Sequence, residues 1–449
     1  MAKPNKKKMC KRNPQKECTC SSSSCECEKN CQENKQRKCV DDGCDCNTKC
    51  QHKEGSDCNE HVTEVNPEEE EHCECECNHH LSKEVQELNH FRDIQYGLLD
   101  YSQYMLLEWR RRSNARGRLP KHQQEMFEDQ YFVHQLELFK DCILTNSRFL
   151  AKIAMNRNYY TEMFGFPTSR RNYLSTYDQM SKVESTIHQF VRDWSAEGEI
   201  ERNLTYTPIL EKLEKYVPIH EGESKRVLIP GSGLSRLLFE VIKRGYGGQG
   251  NEFSYFMLLG SNYVLNSITE ENSITIYPWI NSPNNVVNTY DMYRPITIPD
   301  VCPVNVLKEG VDFSMCAGDF EECYAKSFNE WDSIITCFFI DTAPNVINYL
   351  EVIYHALKPG AYWINYGPLL YHWQTSEPIP PDQDDPRYEI SIELSYEELQ
   401  MVMKKIGFIM IEQERKAVAY THNLLSMMGT TYDCVFFVVQ KPFEEKKEE

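Results

Sequence analysis

Val227-Leu228-Ile229-Pro230-Gly231-Ser232-Gly233-Leu234-Ser235-Arg236 reads as a strand, a glycine turn and the start of a helix. The triplet Val227–Ile229 suits a buried strand. Leu234, Leu237, Leu238, Val241 and Ile242 then fall at offsets 0, 3, 4, 7 and 8, one face of a helix. The glycines let backbone approach a ligand closely, and the helix N-terminus carries partial positive charge. A dinucleotide site would place a third glycine where Arg236 stands, to accept pyrophosphate, so the NAD reading is weakened. A plain turn is the bland alternative.

Downstream, the same rhythm repeats. Ser333–Ile340 reads as a buried strand; Val346, Leu350, Ile353 and Leu357 form a helical stripe stopped by Pro359-Gly360; Ala361–Tyr366 is another strand. This alternation predicts an α/β fold, a parallel sheet with helices on both faces. Phe408–Glu412 and Cys434–Val439 suit a terminal antiparallel hairpin. Upstream, Phe91, Ile94, Leu98, Tyr101 and Met105 recur at helical spacing, as do Leu136, Phe139, Ile143, Phe149, Leu150 and Ile153. A further helix is expected over Ser181–Trp194. The organisation is therefore a leader over 1–80, a helical extension over 81–205, an α/β domain over 206–442 and a charged tail over 443–449.

The 449 residues carry 49 Lys plus Arg against 68 Asp plus Glu, a formal net charge of -19. That balance argues against a general nucleic-acid binder. No apolar run approaches the ~18 residues of a spanning helix, and no membrane association is expected. The basic start Met1–Lys8 lacks an apolar stretch behind it, so no secretory signal is expected and an intracellular protein is the default. Of 20 cysteines, 14 lie between Cys10 and Cys77. The leader around them has almost no large apolar residues and cannot offset its ordering entropy, so disorder is expected there without metal. Cys18-x-Cys20, Cys25-x-Cys27, Cys44-x-Cys46 and Cys73-x-Cys75-x-Cys77, beside His72, His79 and His80, resemble thiolate clusters for Zn or Cu(I). Compositional drift is the alternative. No metal ligand is assigned in the rest of the chain.

Glu252 lies 21 residues after Gly231, at the expected end of the second strand, where a carboxylate can accept hydrogen bonds from both ribose hydroxyls. Ala317-Gly318-Asp319-Phe320 fits the end of the third strand. Its carboxylate suits an adenine amino group, and its ring can pack on the base; a helix cap is the alternative for Asp319. Glycine turn, ribose acid and Asp-Phe in that order make an adenosine site without a pyrophosphate cradle. The combination points to S-adenosylmethionine.

Gln189-Phe190-Val191-Arg192-Asp193-Trp194, Ile229-Pro230-Gly231-Ser232-Gly233 and Gln249-Gly250-Asn251-Glu252 resemble the carnosine N-methyltransferases. So do Tyr277-Pro278-Trp279-Ile280, Ala317-Gly318-Asp319-Phe320, Thr336–Ala343, Gly367–His372 and Leu394-Ser395-Tyr396-Glu397. The likeness covers roughly 85–442 and leaves 1–80 without a counterpart. It implies a class I, Rossmann-like methyltransferase sheet with an N-terminal helical extension, and methyl transfer from S-adenosylmethionine to an imidazole nitrogen of carnosine, giving anserine. It further implies cofactor contacts from Gln189, Arg192, Gly231, Glu252, Asp319, Phe320 and Cys337. The dipeptide contacts it implies are Asp341, His372, Tyr420 and Tyr432, with Asp341 and His372 as the catalytic pair.

These residue types suit the chemistry. Gln189 and Arg192 are spaced i, i+3 on one helix face, and Arg192 can hold a carboxylate bidentately. An imidazole has a pKa of about 6.5 and is mostly neutral at pH 7, so it needs orientation more than a base. A carboxylate accepting the N–H of the other ring nitrogen fixes the tautomer and steadies the developing imidazolium. Asp341, at the end of the fourth strand, is the candidate; a loop cap is its alternative. A peptide or protein histidine methyltransferase, and a metal-buffering protein with a vestigial methyltransferase domain, are the competing functions. The cytoplasm is the expected compartment with the nucleus second, and homodimerisation is carried as an expectation.

Overall fold

A computed structural model describes residues 83–167, 174–308, 310–374 and 386–443. The Cys-rich leader, with its proposed Zn or Cu(I) clusters, and the tail over 444–449 lie outside the described residues. Helix α1 spans Lys83–Gly117, α2 Asp129–Ala154 and α3 Tyr177–Trp194. Thr176 and Gln179 close a capping box at the start of α3. The apolar stripes read from the sequence are the buried ones: Phe91, Leu98, Phe139, Ile143, Leu150 and Phe190 are all inaccessible. They share one core with Phe256 and Leu259 of α6 (Tyr255–Asn266), an element of the α/β part. Helix α4, Glu199–Tyr216, buries Thr205 and Tyr206 alike. The helical extension and the α/β part are therefore continuous across 205–206, inside one helix.

The main sheet has seven strands: β1 Arg226–Pro230, β2 Gly247–Glu252, β5 Phe313–Ala317, β6 Trp331–Cys337, β7 Leu357–Gly367, β8 Ile409–Ala419 and β9 Thr431–Gln440. Their order is β5-β2-β1-β6-β7-β9-β8, with the first five parallel and β9 antiparallel to both neighbours. This is the doubly wound class I methyltransferase arrangement expected from the sequence. The terminal hairpin is longer than its apolar stretches suggest, and its second strand inserts between β7 and the first. A two-stranded ribbon, β3 Ile274–Ile276 and β4 Ile296–Ile298, stands apart. Among the described residues no helix is long and apolar enough to cross a membrane.

Helix α5, Arg236–Lys243, packs on β2 because that strand is glycine-rich. A Cβ on Gly248 would come 2.9 Å from Leu238 Cδ1, and one on Gly250 2.6 Å from Ser232 Oγ. Registry pairs Pro230 with Asn251 and Glu252 with Ala317, so the turns after β1, β2 and β5 share one edge of the sheet. Strand β6 ends at Cys337, before the expected Phe338–Ile340. Phe338 sits at φ +53° and donates its N–H to the Tyr366 carbonyl at 2.8 Å. A Cβ on Gly367 would approach its backbone to 3.1 Å, so the glycine makes room for the turn. Asp341 then falls in a 3-10 turn, Ile340–Thr342, rather than directly on the strand.

Candidate functional site

At that carboxyl edge lies a cleft of 380 Å³, within the ~300–1,000 Å³ of small-ligand pockets. Gln189, Arg192, Gly231, Glu252, Asp319, Phe320, Cys337, His372 and Tyr420 all line it. Asp341 and Tyr432 do not.

The glycine turn forms its floor. Gly231 and Gly233 have φ of +63° and +53°, and a Cβ on Gly231 would meet the Phe339 ring at 2.5 Å. Ser232 donates its N–H to the Asn251 carbonyl at 2.9 Å. Glu252 accepts from the Gly233 N–H on Oε2 and the Ser254 N–H on Oε1, each at 2.8 Å. Burial raises the pKa of this carboxyl, and the backbone N–H groups partly offset that. Arg236, where a pyrophosphate-binding fold has glycine, donates to Asp300 Oδ1 at 2.6 Å and the Asp193 carbonyl at 2.7 Å. Its guanidinium ties the turn to the helical extension, as does Trp194 by donating to the Leu234 carbonyl at 3.0 Å.

Asp319 is the N-cap of α7, Phe320–Tyr324, accepting from Glu321 and Glu322 N–H at 2.9 and 3.2 Å. The cap thus uses Oδ1, and neither of these bonds falls on Oδ2. The Phe320 ring is only 1% exposed, wedged among Tyr324, Phe339 and Tyr349 at centroid distances of 5.1–5.5 Å. It supports the cleft from below rather than offering an open face to a base. The exposed aromatic on that wall is Phe253, directly after Glu252 and 58% accessible.

The helical extension closes the opposite side. Gln189 Nε2 donates to the Tyr420 hydroxyl at 2.5 Å. The Arg192 guanidinium lies 4.6 Å from the Tyr420 ring, 5.1 Å from Tyr206 and 5.7 Å from Phe338. Its Nε is 3.0 Å from Glu201 Oε1, though not aligned for a hydrogen bond, and its buried Nη2 has no partner. An unpartnered guanidinium N–H, buried at a cleft wall, is costly unless a ligand accepts from it. Beside it, burial pushes the Cys337 thiol up to about 11, which keeps it protonated and unreactive.

On the remaining wall His372 is exposed, while Asp341 is 3% exposed behind it. Asp341 Oδ2 accepts the Leu370 N–H at 2.9 Å, and the His372 N–H donates to the Asp341 carbonyl at 3.0 Å. Burial raises the Asp341 carboxyl pKa; the Leu370 N–H and the nearby His372 pull it back in part. The geometry makes Asp341 the support of the segment that carries His372. Tyr432 lies behind Phe338, edge-on at 6.1 Å. Among the described residues no group of three His, Cys, Asp or Glu is placed to hold a metal.

Sequence reasoning missed Phe253, Phe338 and Tyr206, all on the cleft. The first two stand inside or beside strings already singled out, and their aromatic character was the available signal. Nothing in the sequence marks Tyr206, which reaches the site only through the course of α4.

The family described as carnosine N-methyltransferase matches residues 169–443. The mouse carnosine N-methyltransferase is 44% identical over 330 residues, 72% of this chain and 79% of the mouse protein. The Schizosaccharomyces pombe protein of that name is 36% identical over 360 residues, covering 79% of this chain and 96% of its own. That of Dictyostelium discoideum is 35% identical over 378 residues, 79% and 76% of the two chains.

Proposed function

The chain belongs to the carnosine N-methyltransferase family, and from that premise we propose that it methylates the imidazole of carnosine from S-adenosylmethionine, giving anserine. The observation that carries the cofactor reading is the buried, unpartnered Nη2 of Arg192 in a cleft shared with Glu252 and the glycine turn. Arg192 and Gln189 hold the methionine carboxylate, Glu252 the ribose hydroxyls, and Asp319 the adenine amino group through Oδ2. Phe253 covers the base. The cofactor supplies a methyl on a sulfonium, open to in-line displacement. Positioning then provides much of the acceleration. Asp341, with its Oδ1 outside the Leu370 bond, accepts the N–H of the acceptor ring, and His372 orients the dipeptide at the cleft wall. Tyr420 and Tyr432 close the acceptor side.

The free thiols Cys142, Cys302 and Cys434, all buried, fit the reducing cytoplasm and nucleus. Dimerisation belongs to the same reading; exposed Met126, Phe127 and Val133 are apolar surface it would cover. The thiolate pairs of the leader take up Zn or Cu(I). The test incubates the full chain with methyl-labelled S-adenosylmethionine and carnosine, free histidine or histidine-containing peptides. Label is expected on the carnosine imidazole, with anserine as the product by mass and NMR. Transfer to peptides alone would replace the substrate; cofactor binding without transfer to any imidazole would mark the site as vestigial.

A further inference from the structure

Glu201 stands on α4, outside the cleft, and is 9% exposed. Two backbone donors and one guanidinium surround its carboxylate. The Thr421 N–H donates to Oε1 at 2.8 Å, the His422 N–H donates to Oε2 at 3.3 Å, and Arg192 Nε lies 3.0 Å from Oε1. Thr421 has φ +48°, a left-handed backbone that a β-branched residue rarely adopts unless its surroundings hold it there. Tyr420, one residue earlier, receives the Gln189 amide on its hydroxyl and the Arg192 guanidinium on its ring. One buried carboxylate therefore sets two things: the direction of the guanidinium and the backbone that begins the connection from β8 to β9. Sequence gives no hint of this, since α4 and that connection are far apart along the chain.

We infer that Glu201 is a positioning residue that couples the carboxylate end of the cofactor to the acceptor-side segment Tyr420–His422. The inference rests on the cofactor reading above. With Nε facing Glu201, the unpartnered Nη2 is the edge left for an incoming carboxylate. Filling that edge locks the guanidinium between two carboxylates and, through Glu201, immobilises the two N–H groups it holds. The negative charge of Glu201 is what orients the guanidinium; an amide in its place still fills the space but does not pair with Arg192.

Hydrogen exchange of the peptide containing Tyr420–His422, in the full-length protein, tests this. The ligands are S-adenosylmethionine and 5′-methylthioadenosine, which lacks the amino-acid end, with calorimetry to establish that each is bound. In the wild type, S-adenosylmethionine is expected to slow exchange there at least ~5-fold, the low end of ordinary site-to-site coupling, and 5′-methylthioadenosine to leave it unchanged. Glu201→Gln is expected to bind the cofactor yet lose the slowing. A merely structural Glu201 would give faster exchange in the free variant and the same ligand-dependent slowing as wild type, which overturns the inference. Equal slowing by 5′-methylthioadenosine also overturns it, and that comparison needs only the wild-type chain should the variant not fold. Failure of the wild type to bind either ligand removes the cofactor reading itself, and the coupling with it.

Discussion

The turn Gly231–Gly233 and the segment Tyr420–His422 border the same cleft but are held by opposite means. The turn is held locally, by parallel registry of β1 with β2 and a Glu252 bond from 19 residues away. Tyr420 and Thr421 are held by Gln189 and Glu201, 231 and 220 residues away. On the proposed reading the ribose end of the cofactor meets strand ends and backbone close together in sequence, whereas its methionine end meets Gln189 and Arg192 of the distant helical extension. The proposed acceptor side is assembled from side chains that only the finished fold brings together. Changes on the first side should act on cofactor affinity, and changes on the second on turnover or acceptor KM.

The largest expected effect is Glu252→Ala. Loss of two charge-assisted hydrogen bonds to ribose should weaken cofactor binding by about 2–4 kcal/mol, roughly 30- to 700-fold in Kd. Calorimetry checks this, and unchanged binding would remove Glu252 from the site. The pH dependence has a definite sign. Burial places the Glu252 pKa above its ordinary value of 4.5, and the ionised form is the better acceptor. Affinity should be present above that raised pKa and fall as pH drops through it. Glu252→Gln should bind more weakly and lack this midpoint.

On the acceptor side, Asp341→Asn keeps shape and loses charge. If Oδ1 takes the ring N–H, methylation should fall at least ~100-fold, about 2.7 kcal/mol of transition-state stabilisation, with cofactor Kd unchanged. The amide also presents a donor to the ring and favours the wrong tautomer. Turnover near wild type would leave Asp341 with only its observed work, holding Leu370 and His372, and would pass the ring to His372. A collapse of cofactor affinity would instead break the division between the two halves.

How much was legible follows the same division. The strand-turn-helix at Val227–Arg236, the acid at Glu252 and the Asp319-Phe320 pair were readable because each sits at a strand end in a fixed order. Two details there were not. Phe320 is an aromatic in the right place whose ring the core takes, since the stacked pair Phe339 and Tyr349 meets it edge-to-face. The apolar run predicts strand at Phe338, but its left-handed backbone depends on Gly367, 29 residues later in β7. On the acceptor side the resemblance named residues without their arrangement. Burial of Asp341 and the setback of Tyr432 depend on the loop after β7 and on the pairing of β8 with β9, neither of which has a local signature.

Tyr432 gives the smallest and sharpest test of the comparison. Its ring meets Phe338 edge-on, and it lies off the cleft wall, so its packing survives Tyr432→Phe. Only the hydroxyl is lost. If that hydroxyl meets the dipeptide when the acceptor is bound, one neutral hydrogen bond disappears, about 0.5–1.5 kcal/mol or roughly 2- to 12-fold in acceptor KM. Cofactor Kd and thermal stability should stay where they are. Tyr420→Phe differs, because its hydroxyl is already bound by Gln189 and its loss disturbs the cofactor side as well. An unchanged KM in Tyr432→Phe would place Tyr432 among the supports of Phe338 and leave Tyr420 as the tyrosine nearest the acceptor. A rise in cofactor Kd equal to the rise in KM would show that the β8–β9 connection serves both halves at once, as the carboxylate of Glu201 suggests.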